Sequence, residues 1–532
     1  MKVKKRGIMG LLALAMAVSA AGCGKTENQQ TTANINFSGY PIKSDQTLTY
    51  WCAMNSNLAS IVQNFGDSPL GKALVEKTGV NVEFIHPPVG QETEQLSILL
   101  STDDLPDIIS NDWYRYSGGP QKALSEQILM PLNDVFDKYA PNMKQYLADN
   151  PEIAKMIVTD DNTYYVFPFI RGDEILCINQ GIMIRQDWLD ELNLPMPETI
   201  DEWHDTLTAF KEKKGAAAPL IYHNIYPNMT YYGAFIGAFG INGDFFVEDG
   251  KVVYGPGDER YKDFLSTFAQ WYKEGLIEEN LPNVDTKNIN ANMLNGKSGA
   301  TFGYAGSVMG QINKNLKAKD PNARVAPAPY VAEAKGEKPK FGQLDCAYLG
   351  MGSAGITTSC KNVELAARFL DYGYSEEGDM LYNFGIEGES YNMVDGYPTY
   401  TDLLMKNPDG LTVSQAMSEY ICASHSGPFV QRKEYIEQYY ETDEQKDALK
   451  VWGDTEAEKY TLPPITFTVE ESDETARIMT NIKTFVDEKT ITIIMGKEDI
   501  STFDSYISTL KDYGLDKVLE IYNAAYQRYI NR

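Results

Sequence analysis

The first third of the chain alternates short apolar strands with amphipathic helices, and this pattern constrains the fold more than any other feature. "TLTYW" (47–51) predicts a buried strand, "SPLGKALVEKTG" (68–79) a helix with a serine N-cap and a glycine stop, and "VNVEF" (80–84) a second strand. A helix around 95–100 then leads into the strand "LPDIIS" (105–110). Strands that alternate with helices pair in parallel through right-handed crossovers. The sequence therefore predicts an α/β fold.

The N-terminus has the layout of a secretory signal. Four basic residues precede an apolar run, 8–21, that is shorter than the roughly 20 residues needed to span a bilayer. Residues 1–22 are predicted to be a signal peptide, and the polar segment 23–45 a flexible tether. The small residues before Cys23 resemble the bacterial lipobox, which predicts that Cys23 carries a lipid anchor on the extracellular face of the cell membrane. An ordinary secreted protein with an incidental cysteine is the alternative.

Length and charge limit the classes of protein that the chain can belong to. A chain of 532 residues is too long for one core and should form at least two domains. Its net charge of −27 repels phosphate backbones, which argues against a nucleic-acid partner and favours neutral or cationic ligands. The other cysteines are far apart and form no CxxC pair, so we expect buried free thiols, although up to two disulfides remain open. They are Cys52, Cys177, Cys346, Cys360 and Cys422.

Motifs of catalysis and of cofactor binding are missing from the sequence. "LGMGSAG" (349–355) contains a formal G-x-G-x-x-G, but a β-branched stretch follows it where a nucleotide site needs a helix. No Gly-Lys-Ser/Thr loop, HExxH or G-x-S-x-G occurs. We therefore predict no cofactor, no metal site and no enzymatic activity. The carboxylate pair of a glycoside hydrolase stays open, because such residues meet only in the fold.

Four segments carry a resemblance to a known family. In chain order they are "LPDIISNDW" (105–113), "YYVFPF" (164–169), "MIRQDWLDELNLPMPETIDEW" (183–203) and "LGMGSAGITTSCKNVELAARFLDYGYSEEG" (349–378). In this order, behind a lipobox, they resemble an extracellular solute-binding lipoprotein of an ABC importer, of the maltose-binding-protein-like kind. The likeness is strongest to the long Gram-positive members that bind oligosaccharides or aldouronates.

The resemblance implies a fold and a function. It implies a two-lobed periplasmic-binding-protein-like fold of type II, with hinge strands around a central cleft. The N-lobe is expected at 46–168 and 328–383, and the C-lobe at 169–327 and 384–532. The protein is expected to be a monomer that captures an oligosaccharide and delivers it to the transmembrane subunits of an ABC permease. A peptide-binding protein of the same fold and a surface glycoside hydrolase of another fold are the alternatives.

Candidate ligand-binding residues follow the predicted strands, because ligands of parallel sheets bind beyond the carboxyl ends of the strands. A sugar receptor needs flat rings for the C–H faces and acids or amides for the hydroxyls. Asn55 and Asn57 follow the first strand, and Asp112, Trp113 and Tyr114 follow the third. A plain turn at the two asparagines and packing of Trp113 beneath its loop are the alternatives.

Five further residues are candidates, two of them at positions that the resemblance implies. Arg171 follows the expected hinge and could bind a hydroxyl or a carboxylate, or only bridge the lobes. Tyr304 ends an apolar strand where relatives present an aromatic ring to the ligand. Tyr348, together with Asp345, and Tyr391 are weaker candidates.

Overall fold

The computed structural model describes residues 35, 37–102, 104–222, 233–348 and 350–532. The predicted signal peptide, Cys23 and residues 24–34 of the predicted tether lie outside the described residues. Among the helices that are described, none combines the length and the apolar character that a membrane span requires.

The strands form several small sheets. In chain order they are β1 (Thr47–Trp51), β2 (Asn81–Ile85), β3 (Ile108–Asn111), β4 (Ile170–Arg171), β5 (Gln180–Arg185), β6 (Phe245–Glu248), β7 (Lys251–Tyr254), β8 (Ala300–Tyr304), β9 (Val325–Pro327), β10 (Ser353–Ile356), β11 (Tyr391–Val394), β12 (Tyr397–Tyr400) and β13 (Val430–Gln431).

The α-helices make up most of the remaining regular structure. They are α1 (Ser56–Ala59), α2 (Pro69–Thr78), α3 (Glu92–Leu100), α4 (Gly119–Ser125), α5 (Asn133–Tyr139), α6 (Pro141–Asp149), α7 (Pro151–Met156), α8 (Gln186–Leu192), α9 (Ile200–Lys214), α10 (Tyr261–Lys273), α11 (Thr286–Leu294), α12 (Gly310–Lys319), α13 (Val363–Asp371), α14 (Glu376–Phe384), α15 (Asp402–Met405), α16 (Val413–Tyr420), α17 (Lys433–Tyr439), α18 (Asp443–Gly453), α19 (Ala457–Tyr460), α20 (Val469–Ile494), α21 (Phe503–Tyr513) and α22 (Leu515–Ile530).

A four-stranded sheet in the order β10–β3–β1–β2 confirms the predicted parallel arrangement. β1 pairs in parallel with both β2 and β3. Helix α2 connects β1 to β2, and its ends follow the sequence signals: the Ser68 side chain accepts from the Gly71 N–H, and Gly79 stops the helix at a φ of 69°. β10 joins the edge antiparallel to β3, so the start of β10 lies beside the carboxyl end of β3.

A second sheet has the order β8–β5–β9, with β5 antiparallel to both neighbours. All six residues of β5 are buried, as expected for a central strand covered on both faces. The helices α8 and α9 follow it, and the Thr199 side chain caps α9 by accepting from the Glu202 N–H. The segment 183–203, which carries part of the resemblance, therefore runs from a strand through one helix into the next.

The buried apolar residues form two large clusters. The smaller cluster contains core residues between Ile42 and Ile170 and between Tyr348 and Leu370. The larger cluster begins in α2 with Leu70, resumes at Phe169 and includes most of the core beyond Leu370. Two clusters agree with a chain too long for one core, and the chain passes between them more than once. The limits given above for the two lobes remain predictions.

Candidate ligand-binding cavity

A cavity of about 690 Å³ lies at the carboxyl edge of the four-stranded sheet. One wall is formed by 50–56 at the end of β1, by 110–112 at the end of β3, and by Met351 and Gly352 before β10. This is the edge at which ligands of parallel sheets bind.

The facing wall comes from the end of α16 and the loop that follows it. Residues of 418–428 line the cavity, and the loop is held by a 2.8 Å bond from the His425 N–H to the Cys422 carbonyl and by Gln431, whose Nε2 donates to Ala423. The His425 side chain is open to the cavity, yet the surrounding protein lowers its pKa by desolvation. His425 is therefore expected to be uncharged at neutral pH.

The lining combines apolar surface with a few polar groups. Apolar side chains such as Trp51, Phe65 and Met351 share the cavity with the hydroxyl of Ser426 and the carboxylate of Glu92. Such a lining suits a small amphipathic guest that buries its faces and hydrogen-bonds at its edges.

The cavity includes two of the residues predicted after the first and third strands. Asn55 lines it, and the Asn55 side chain also accepts from the Asn57 N–H at 2.8 Å, capping α1. Asp112 lines it and pairs with Arg115 at 3.0 Å. Asn57 is not among the lining residues and lies in the short helix α1 that Asn55 caps.

Trp113 is not among the residues that line the cavity, and its burial favours the alternative that it packs beneath its loop. Its side chain is 0% exposed, and its Nε1–H donates to the Ile109 carbonyl at 3.0 Å. The ring packs on Tyr116 and belongs to the smaller cluster, so neither face is open to a guest. The direction of the third strand correctly predicted that its loop lies at the cavity. The sequence could not show which side chains of that loop line the cavity and which are buried in the core.

Tyr114 and Tyr348 are not among the residues that line the cavity. Tyr114 donates its hydroxyl to the Ile465 carbonyl at 3.1 Å, and its ring contacts Tyr348 edge-on. Tyr348 is 1% exposed, and its hydroxyl lies 2.9 Å from that of Tyr165. Both predictions as direct ligand contacts lack support in this geometry, because the rings and hydroxyls are already engaged.

Arg171, Tyr304 and Asp345 form a second polar group, which we call the hinge cluster. Arg171 Nη1 donates to Asp345 Oδ2 at 2.7 Å, with only 13% and 15% of the two side chains exposed. Tyr304 is 50% exposed. Partial burial and then Asp345 raise the pKa of Tyr304, whereas Arg171 lowers it, so the three side chains share one electrostatic environment. None of them is among the residues that line the 690 Å³ cavity.

Tyr391 lies elsewhere, in the hairpin of β11 and β12. It is 6% exposed and packs against Phe384. It is absent from the cavity lining, and its prediction as a ligand contact receives no support here.

Sequence reasoning missed the part of the site that comes from distant segments. Met351, His425 and Ser426 reach the cavity only because 351–352 and 418–428 fold against the carboxyl edge of the sheet. The small-residue loop "CASHSGP" (422–428) was the available signal, but nothing local assigns it to this edge.

The cysteines and possible metal ligands complete the chemistry of the described residues. All five cysteines predicted to be buried free thiols are free, but only Cys177 and Cys360 are buried, whereas Cys52, Cys346 and Cys422 are half-buried. Within the part of the chain that the structure describes, no group of three or more histidine, cysteine, aspartate or glutamate side chains is arranged to hold a metal ion.

Comparison with known proteins identifies the family and the fold. Residues 62–380 match the family model described as bacterial extracellular solute-binding protein. The fructooligosaccharide ABC transporter substrate-binding protein FusA of Streptococcus pneumoniae is 26% identical over an alignment of 560 positions, covering 98% of this chain and 97% of that protein. Lipoprotein LipO of Bacillus subtilis is 24% identical, covering 99% of both.

Solved structures of solute-binding proteins superpose on most of this chain. FusA in complex with kestose superposes with a TM-score of 0.73 at 22% identity, covering 92% of this chain and 100% of that chain. The HMO-binding solute-binding protein of Bifidobacterium longum infantis gives 0.75 at 18% identity, covering 92% of this chain and 99% of that chain. These likenesses confirm the predicted α/β fold of two-lobed solute-binding proteins. Since the family model spans more than half of its length, the chain belongs to the bacterial extracellular solute-binding proteins.

Proposed function

We propose that the protein is the substrate-binding component of an ABC importer, which captures an oligosaccharide and passes it chemically unchanged to the membrane permease. The observation that carries this proposal is the cavity at the carboxyl edge of the sheet, with its apolar lining and its few polar groups. The names of the relatives, FusA above all, support a sugar as the guest.

Asn55 and Asp112 are the sequence-predicted residues that we assign to the ligand in this cavity. The hinge cluster is assigned as a second contact region, in which the exposed ring of Tyr304 packs against a sugar face beside the Arg171–Asp345 pair. Trp113 is not part of the proposed site.

The two apolar clusters are proposed to be the cores of two lobes that close over the guest by hinge motion. β4 pairs with β13, and Phe169 and Ile170 belong to different clusters, so a hinge near 167–171 is consistent with the packing. We propose that the protein acts as a monomer.

We also propose that Cys23 is lipidated and holds the protein on the extracellular face of the cell membrane. The lipobox-like sequence supports this proposal, as does the name of the relative LipO. Replacing Cys23 by serine should move the protein from the membrane fraction to the medium. Continued membrane anchoring of that variant would contradict the proposal.

Thermal unfolding in the presence of ligand panels tests the function. A guest that binds only the folded state stabilises it by about 4 kcal/mol at a concentration ~1,000 times its Kd. An oligosaccharide should therefore raise the unfolding temperature in differential scanning fluorimetry. The sugar assignment fails if every oligosaccharide leaves the transition unchanged.

A short peptide is the second candidate guest, because the rim of the cavity is partly aliphatic. Val89 and Met351 are 51% and 43% exposed there, whereas sugar sites use flat rings for this purpose. The same thermal unfolding experiment with a panel of peptides separates the two candidate guests, because only the class of guest that binds should raise the unfolding temperature.

A further inference from the structure

Among the described residues that line the cavity, the charged side chains all carry the same sign. Asp112 and Glu92 contribute carboxylates, and no lysine or arginine is present in this lining. The lining therefore offers an anionic guest no cationic partner.

Two arginines at the sequence-predicted residues are paired with carboxylates. Arg171, which the sequence analysis considered for a substrate carboxylate, is bonded to Asp345 at 2.7 Å. Arg115 pairs with Asp112 at 3.0 Å, but the guanidinium is largely solvent-exposed while the carboxylate lines the cavity. His425 adds no positive charge at neutral pH, because its surroundings lower its pKa.

From this arrangement we propose that the guest of the cavity is an uncharged oligosaccharide and that Asp112 and Glu92 exclude sugars carrying a carboxylate, such as uronates. This inference rests on the proposed function and narrows its substrate class. Like charges in a partly desolvated cleft repel, so selection against uronates needs no steric barrier. The overall charge of −27 acts in the same direction on the approach of an anion.

The test compares one sugar skeleton in two charge states. The full-length protein is titrated calorimetrically with the neutral oligosaccharide that binds best in the panel. It is then titrated with the same sugar after oxidation of a primary hydroxyl to a carboxylate. We expect the oxidised sugar to bind at least about tenfold more weakly. The difference should shrink in 0.5 M NaCl, because salt screens the repulsion.

Two matched variants assign the effect to the cavity. Glu92→Gln keeps the side-chain oxygen that accepts from the Gly90 N–H at 2.8 Å and removes only the charge. Glu94→Gln changes the net charge equally in the same first turn of α3, but Glu94 does not line the cavity. Glu92→Gln should reduce the discrimination, and Glu94→Gln should leave it unchanged. Asp112→Asn is the second cavity variant and should also reduce it.

The outcomes separate this inference from the function it rests on. If the oxidised sugar binds as tightly as the neutral one, or if neutral sugars fail where uronates bind, the charge assignment is overturned and the transport function stands. It is also overturned if neither cavity variant differs from Glu94→Gln. If no sugar of either kind binds, both proposals fail.

Discussion

Replacing Trp113 tests whether the residue acts as a core side chain or as a ligand platform. The indole is fully buried and donates one hydrogen bond. Loss of a buried tryptophan to alanine costs about 3–5 kcal/mol. Trp113→Phe keeps most of the volume but loses the bond to Ile109, so we expect a cost of about 1.5–3 kcal/mol. Equilibrium urea unfolding, followed by circular dichroism, measures both costs.

The ligand affinity of the folded Trp113→Phe variant distinguishes a core residue from a ligand platform, because only a platform residue should weaken binding when it is replaced. Because neither face of the ring is open to the cavity, calorimetric affinity for the best panel ligand should match that of the wild type. Trp203→Phe is the matched control: Trp203 is equally buried, but its Nε1–H has no hydrogen-bond partner among the described residues, so its loss should cost less. A Trp113→Phe variant of wild-type stability with ligand affinity weakened tenfold would refute the core assignment.

Three further predictions follow from charges and exposure. Tyr304→Ala should change the free energy of unfolding by no more than about 0.5 kcal/mol, because half of the side chain is exposed. The same substitution should weaken ligand binding, measured by calorimetry, by at least about 1 kcal/mol. Unchanged affinity would remove Tyr304 from the site. Asp160 forms an ion pair with Arg532, whose side chain is only 4% exposed. Asp160→Asn removes this counter-charge and should lower the free energy of unfolding, measured in urea, by about 2–3 kcal/mol. An unchanged free energy of unfolding would contradict this assignment. Burial raises the pKa of Asp487 to about 6, so ionisation of this carboxyl disfavours the folded state. The contribution of the protonated carboxyl to stability is therefore complete below about pH 4 and is lost as the pH rises through 6. Asp487→Asn should therefore stabilise at pH 7 by about 1 kcal/mol after allowance for its partial exposure, with little effect at pH 4; equal effects at both pH values would contradict the titration.

The sheet could be read from the sequence because its signals are local. The alternating pattern, the Ser68 cap and the Gly79 stop each reflect interactions within a few residues, and the structure confirms the strands and helix that they predict. The sequence indicated a strand-like stretch at β10, but it did not predict that this strand pairs antiparallel with β3, because the pairing of Ser353 with Asn111 is a long-range contact.

The candidate site was predicted only in part for the same reason. Asn55 and Asp112 were found because the carboxyl ends of parallel strands must share an edge. The direction of the Trp113 side chain depends on how its loop packs, and the contribution of His425 depends on a loop more than 300 positions away in the chain. Neither is encoded in a local pattern.

The central claim is that the guest occupies the cavity at the carboxyl edge of the sheet, and a cavity-filling variant tests it most directly. Ser56 lines the cavity and is exposed, whereas Ser97 is exposed on α3 outside it. Calorimetric titration of the best panel oligosaccharide should give one site per molecule for the wild type and for Ser97→Trp, and no binding for Ser56→Trp. Wild-type affinity in a folded Ser56→Trp variant would place the guest elsewhere and contradict the account.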